Sequence, residues 1–144
     1  MSIGALFERV HHVGVAVRDL PAATAWFVAQ GAVLVGDPYA DLAQDVDVQM
    51  LELAGLRHEL VAPRSPSSAV ARVLARGGGG AYHVAYAHAD LAELDERVRA
   101  AGGLVVSRTT HGWGGLEVAF AVFDASGTPY LAEFVALPPA SPPR

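Results

Sequence analysis

His12-Val13-Gly14-Val15-Ala16-Val17-Arg18-Asp19-Leu20 returns, loosely, as His83-Val84-Ala85-Tyr86-Ala87-His88-Ala89-Asp90-Leu91, at a constant offset of 71. The register continues outward. Ala29-Gln30-Gly31 is answered by Ala100-Ala101-Gly102, and Val33-Leu34-Val35 by Leu104-Val105-Val106. Near the end of each half Glu59-Leu60-Val61-Ala62 is answered by Glu133-Phe134-Val135-Ala136, where the offset has grown to 74. Three extra residues in loops of the second half account for the change, because loops absorb insertions at lower cost than paired strands. Each half thus contributes one His at its start and one Glu at its end.

The whole chain of 144 residues is one domain's worth, with 52% hydrophobic and 17% charged residues, enough apolar material for a proper core. No apolar run approaches the roughly 18 to 20 residues of a membrane helix. The start, Met1-Ser2-Ile3-Gly4-Ala5-Leu6-Phe7, lacks the basic and long apolar regions of a signal peptide, so a cytoplasmic, soluble protein is expected. Cysteine is absent, which excludes disulfides, thiolate ligands and a thiolate nucleophile. A net charge of -5 without a basic cluster argues against a nucleic-acid partner and for a small-molecule substrate. All ten Lys+Arg residues are Arg, a trait of coding bias more than of chemistry.

The alternation of β-branched residues predicts a strand over Val10 to Val17. Asp19 then caps a helix with Pro21 in its first turn, running to about Gln30 and stopped by Gly31. A short strand Val33 to Val35, a loop around Asp37-Pro38-Tyr39, and a hairpin of Val46 to Leu53 with Arg57 to Ala62 complete a βαβββ half. Ser65-Pro66-Ser67-Ser68 caps a connector helix, Ala69 to Arg76, which ends at Gly77-Gly78-Gly79-Gly80. The second half repeats the order: strand Ala81 to Ala87, helix Leu91 to Ala101 capped by Asp90, strand Leu104 to Val106, and a hairpin of Leu116 to Phe123 with Tyr130 to Leu137. The expected class is α+β, two tandem βαβββ modules (about 8–63 and 80–137, linker helix 64–79) forming a cupped, eight-stranded mixed sheet with helices outside. The tail Pro138-Pro139-Ala140-Ser141-Pro142-Pro143-Arg144 fits neither strand nor helix.

Strand periodicity places the ligand candidates. His12, Gly14 and Ala16 share one face, and Val13, Val15 and Val17 share the other, which is expected to be the core face. His12 then projects with two tiny residues into an empty concave surface, and His83, Ala85 and Ala87 repeat the arrangement. Glu59 and Glu133 are out of phase with Leu60 and Phe134 and can reach the same concavity. His12, Glu59, His83 and Glu133 together make a set of two nitrogens and two oxygens, suited to one divalent ion: Co²⁺, Mn²⁺, Zn²⁺, Ni²⁺ or Fe²⁺.

Each of these residues has a plainer reading. A single strand His is usually a packed or surface residue and a single strand Glu is usually solvated; recurrence at matched positions is what favours a metal site. His11 aligns with Tyr82 and reads as structural. His58 faces away from Glu59's side, and His88 and His111 read as surface or pocket-rim residues. The glycine run 77–80 is no phosphate loop, because a helix precedes it and a strand follows. Trp113, within Gly112-Trp113-Gly114-Gly115, is either a pocket cover or a packing residue, and Trp26 with Phe27 reads as the first helix's core face.

The stretch His12 to Leu20 resembles the opening of the vicinal oxygen chelate superfamily, also called the glyoxalase/bleomycin-resistance/dioxygenase superfamily, and the likeness spans residues 10 to 137. Within it, Glu59-Leu60-Val61-Ala62-Pro63, Ser65-Pro66-Ser67-Ser68-Ala69-Val70, Tyr82-His83-Val84-Ala85-Tyr86 and Gly114-Gly115-Leu116-Glu117-Val118-Ala119-Phe120 are similar to methylmalonyl-CoA epimerases. The resemblance implies one metal at His12, Glu59, His83 and Glu133, an enolate stabilised by it, and a homodimer. Such epimerases carry a Glu base before a Gln-Gly-Val segment, where this chain reads Asp41-Leu42-Ala43-Gln44-Asp45-Val46. Asp41 or Asp45 then stands in for that base, or Glu133 itself moves the proton. A CoA phosphate would call on Arg57, Arg64 or Arg108. The expected activity is a metal-dependent isomerase or epimerase; the alternatives are another metalloenzyme of the superfamily, such as a glyoxalase-type lyase or a specialised biosynthetic enzyme, and a metal-free resistance protein that binds an antibiotic.

Overall fold

The alternating Val-rich stretches do form strands. In the computed structural model, residues 6–110 and 112–137 are described, and the elements run β1 (Val10–Ala16), α1 (Leu20–Ala29), β2 (Val33–Leu34), β3 (Tyr39–Asp41), β4 (Val46–Leu53), β5 (Leu56–Pro63), α2 (Ala69–Ala75), β6 (Gly80–His88), α3 (Leu94–Ala100), β7 (Gly103–Thr109), β8 (Val118–Ala125) and β9 (Thr128–Ala136). The class is α+β. His111 and the Pro-rich tail lie outside the described residues. No helix among the described residues is long and apolar enough to cross a membrane.

The chain divides into two compact units, residues 12–83 and residues 1–11 with 84–144. In the first unit the order is β2-β4-β5-β1, with β3 also paired to β4. Strands β4 and β5 form the expected hairpin, whereas β1 lies parallel to β5, with Gly14 opposite Glu59 and Ala16 opposite Val61. Helix α1 begins where Asp19 accepts a hydrogen bond from the Ala22 N–H at 2.9 Å, with Pro21 in the first turn where its missing N–H costs nothing. Phe27 from this helix packs with Val15, Leu20, Leu51 and Leu60 into one core. A second core forms on the other face, where Ala16, Val46, Val48 and Val61 meet Val70 and Leu74 of α2. Ser68 caps α2, its hydroxyl accepting from the Val70 N–H at 3.2 Å.

The second unit repeats the scheme as β6-β9-β8-β7. Strand β9 is parallel to β6 and antiparallel to β8, so Glu133 stands opposite Ala85 on one side and Phe120 on the other. Its core gathers Phe134, Phe123, Leu94, Val98 and Ala132, and Leu6 from the start of the chain. Phe7 adds ring contacts to Tyr86 and Phe123, at 4.9 and 5.4 Å between centroids.

Several expectations are corrected. Among the described residues a ninth, short strand joins the eight expected, because Tyr39, expected in a loop, pairs with Val48 as part of β3. Helix α3 starts at Leu94, three residues later than expected. Asp90 is occupied in a local turn, accepting from the Ala92 N–H at 2.9 Å, and Glu93 adopts a left-handed φ of 60° that breaks the helix there. Trp26 is not part of the core face but is 59% exposed, its ring edge-on to Phe27. His88 is buried instead of lying at the surface, with Nε2 2.7 Å from the Leu6 carbonyl oxygen.

Candidate metal centre

Three of the four ligand candidates lie within the first unit. His12 on β1, Glu59 on β5 and His83 on β6 are all buried, and each offers a ligand atom within 4.8 Å of the others. The Nε2 atoms of His12 and His83 are 3.3 Å apart, and His12 Nε2 is 3.6 Å from a Glu59 carboxylate oxygen. The parallel register explains the pairing of His12 with Glu59: Gly14 faces Glu59 across the ladder, and His12 lies two residues earlier on the same side of β1.

The face carrying these residues is not the empty surface expected from two tiny side chains. Ala16 is covered by the α2 core, and the space over Gly14 is taken by the His83 imidazole. A Cβ built on Gly14 would lie 1.9 Å from His83 Cε1, 2.2 Å from Nδ1 and 2.5 Å from Nε2. The Tyr82 ring stands perpendicular to that of His83, with centroids 4.5 Å apart. Met50, almost fully buried, faces Glu59 from β4 and gives the carboxylate an apolar neighbour. Sequence reading missed both Gly14 and Met50. The signal for the first was available, since Gly14 is the one position of its strand face where the second half has a larger residue, Ala85.

The donor set fits a divalent cation. Two imidazole nitrogens and a carboxylate oxygen gathered in a buried setting suit first-row metals such as Zn²⁺, Mn²⁺ or Co²⁺. Desolvating a carboxylate beside two imidazoles is costly unless a cation or protons compensate it.

Glu133 is placed in the second unit, buried on β9 and opposite Ala85, which lies two residues after His83 on the same face of β6. Asp41 and Asp45 are held elsewhere. Asp41 accepts from the Gln44 backbone N–H at 3.2 Å and its side-chain amide at 2.8 Å, and it faces Val46, whose partner on β5 is Pro63. Pro63 is four residues past Glu59, about 13 Å along a strand at the usual rise. Asp45, in a left-handed turn with φ 58°, accepts from the Ser65 hydroxyl.

The remaining candidates are engaged structurally. His58 Nδ1 lies 2.9 Å from the Leu56 carbonyl oxygen, and His11 packs against Trp113 with ring centroids 5.4 Å apart. Arg64 is paired with Asp47 at 2.6 Å and Arg108 with Asp95 at 3.3 Å. In the second unit a recess of about 380 Å³, lined by Phe7, Tyr86, Ala101, Phe123, Ala125 and Tyr130, opens on the face opposite Glu133. Within it the Tyr86 and Tyr130 hydroxyls are hydrogen-bonded, and burial together with that bond pushes the Tyr86 phenol well above its ordinary pKa.

Comparison with known proteins gives a consistent answer. Residues 11–120 match the family described as Glyoxalase/Bleomycin resistance protein/Dioxygenase superfamily. An ethylmalonyl-CoA/methylmalonyl-CoA epimerase of Cereibacter sphaeroides is 31% identical over 102 residues, 70% of this chain and 76% of that protein. The methylmalonyl-CoA epimerase of Mycobacterium tuberculosis superposes with a TM-score of 0.79 at 28% identity, over 98% of this chain and 94% of that one. A variant of the Streptomyces coelicolor methylmalonyl-CoA epimerase in complex with 2-nitronate-propionyl-CoA superposes with a TM-score of 0.76 at 26% identity, covering 90% of this chain and 94% of that one.

Proposed function

Because this chain belongs to the Glyoxalase/Bleomycin resistance protein/Dioxygenase superfamily, we propose that it is a divalent-metal-dependent epimerase or isomerase acting next to a carbonyl, with an acyl-CoA such as methylmalonyl-CoA as substrate. The observation that carries the reading is the buried trio His12, Glu59 and His83, with ligand atoms within 4.8 Å of one another. We assign Glu133 as the fourth ligand on its matched position in the repeat and its place beside Ala85. When bound, a divalent ion supplies a Lewis acid that stabilises negative charge developing on a substrate oxygen.

The chain's own part is proton transfer and positioning. Glu133 takes the proton from the carbon next to the carbonyl onto a carboxylate oxygen, and epimerisation is completed when a second acid returns a proton to the opposite face of that carbon. His12, Glu59 and His83 stay fixed, held by the β1–β5 ladder and by the packing of His83 over Gly14. Asp41 and Asp45 are tied into the turn before β4 and serve to hold it, not as the base. That placement favours a second reading, in which Glu133 alone removes and returns the proton, as an isomerase of the glyoxalase type requires.

The test is deuterium uptake at the α-carbon of methylmalonyl-CoA with chain loaded with Co²⁺, Mn²⁺, Ni²⁺ or Zn²⁺. Exchange with inversion supports the epimerase, and exchange without inversion supports the one-base reading. A chain that binds none of these ions removes both and leaves a metal-free binding protein.

A further inference from the structure

We infer that Gly14 is a positioning residue of the metal centre: its lack of a Cβ is what seats the His83 imidazole beside His12. The inference rests on the metal reading above and concerns a residue that reading does not use as a ligand.

Three distances set the constraint at position 14. A methyl group at position 14 would fall 1.9, 2.2 and 2.5 Å from three atoms of the His83 ring, all inside the closest approach that carbon atoms tolerate. Ordinary contact begins at 3.4 Å, so the nearest ring atom must retreat by about 1.5 Å. Metal ligands are held within roughly 0.2 Å of their proper distance. A displacement several times larger removes His83 from any ion that His12 and Glu59 hold. Tyr82, perpendicular to the ring at 4.5 Å, restricts where the imidazole can go.

The same geometry says that the fold tolerates the change. The atoms that a Cβ would meet belong to the tip of a side chain and not to backbone, so His83 can turn away while β1 and β6 keep their places. Gly14 also needs no unusual backbone, since it is not among the positive-φ residues and sits within the regular β1–β5 ladder. Its requirement is therefore space alone. The duplicated position, Ala85, carries a methyl group, so the two halves differ in this respect.

The experiment uses the full chain and its Gly14→Ala variant. Co²⁺ affinity is measured by calorimetry, apo-protein stability by thermal melting, and the His83 ring is followed in the metal-free proteins by NMR. Gly14→Ala should melt close to the parent, displace the His83 ring resonances, and weaken Co²⁺ by roughly 10–100-fold, as loss of ligand orientation does elsewhere. Parental Co²⁺ affinity together with unmoved His83 resonances overturns the inference and leaves the metal reading standing. If the parent binds no metal while Gly14→Ala still moves His83, the metal reading falls and the seating of His83 by Gly14 stands. Should Gly14→Ala fail to fold, Gly14→Ala combined with His83→Ala decides the matter. Recovery of folding identifies the ring as the obstacle, and continued failure overturns the inference.

Discussion

Two rows of residues, one in each unit, show what a duplication keeps and what it changes. In the first unit Glu59 is flanked across the ladder by Gly14 and Met50; in the second, Glu133 is flanked by Ala85 and Phe120. Both carboxylates are buried, and both sit between a parallel strand and an antiparallel one. The flanks have been exchanged for residues of different size. A hydrogen atom has become a methyl group on one side, and a thioether has become a phenyl ring on the other. Matched carboxylates are thus set in unequal surroundings, which is the physical basis on which the proposed function gives one a holding role and the other a proton-transfer role.

The two rows should part most clearly when each carboxylate is neutralised in turn. Glu133→Gln should lower α-proton exchange by about 10²- to 10⁴-fold, the range of a general base, whereas Glu59→Gln keeps measurable exchange. Equal losses in the two variants would make the two rows functionally alike. Next comes packing, since Leu60 and Phe134 are matched core residues that are both fully buried. Phe134→Ala should cost about 3–5 kcal/mol and Leu60→Ala about 2–5 kcal/mol, with the second unit losing more in denaturant titrations because more rings rest on Phe134.

Helix starts offer a smaller contrast. Asp19 caps α1 with a side-chain hydrogen bond, while Glu93 before α3 makes none and holds a left-handed φ. Asp19→Ala should destabilise by ~1 kcal/mol, and Glu93→Gly should stabilise by up to ~1 kcal/mol by relieving that conformation. Both are read from thermal melting. The smallest effect concerns pH. Tyr86, which occupies the place of Val15, is held neutral in the fold, its pKa raised above the ordinary 10.0 by burial and by its bond to Tyr130. A raised phenol pKa contributes stability fully below pH 10, and that contribution is lost as pH climbs from there toward the folded value. Tyr86→Phe should therefore flatten the alkaline limb of the stability profile, and an unchanged limb would assign it to another group.

Much of this was legible in the sequence because the repeat supplied an internal comparison. The candidate ligand positions, the α1 cap at Asp19 and the two hairpins all follow from the repeat, periodicity and spacing. What escaped notice has local causes. Strand β3 is three residues long and follows Pro38, and it exists because β4 offers it an edge. Helix α1 is apolar on nearly every side, Leu-Pro-Ala-Ala-Thr-Ala-Trp-Phe-Val-Ala, so periodicity alone does not choose between Trp26 and Phe27 for the core. His88 finds its partner at Leu6, 82 residues away, a separation that no local pattern encodes. The seat of His83 over Gly14 likewise joins residues from different strands. Only the absence of a methyl group hinted at it.

The parallel pairing of β1 with β5 also bears on how the molecule is made. His12 and Glu59 are separated by most of the first unit, and no turn joins their strands directly; β2, β3 and β4 intervene. Such a contact forms only after the intervening chain has been closed into a loop, which makes it slow relative to the β4–β5 hairpin. An ion that needs both residues has nothing to grip in the unfolded chain. It would leave the early steps of folding untouched and act on the finished structure, slowing unfolding and raising the melting temperature in proportion to the logarithm of its free concentration.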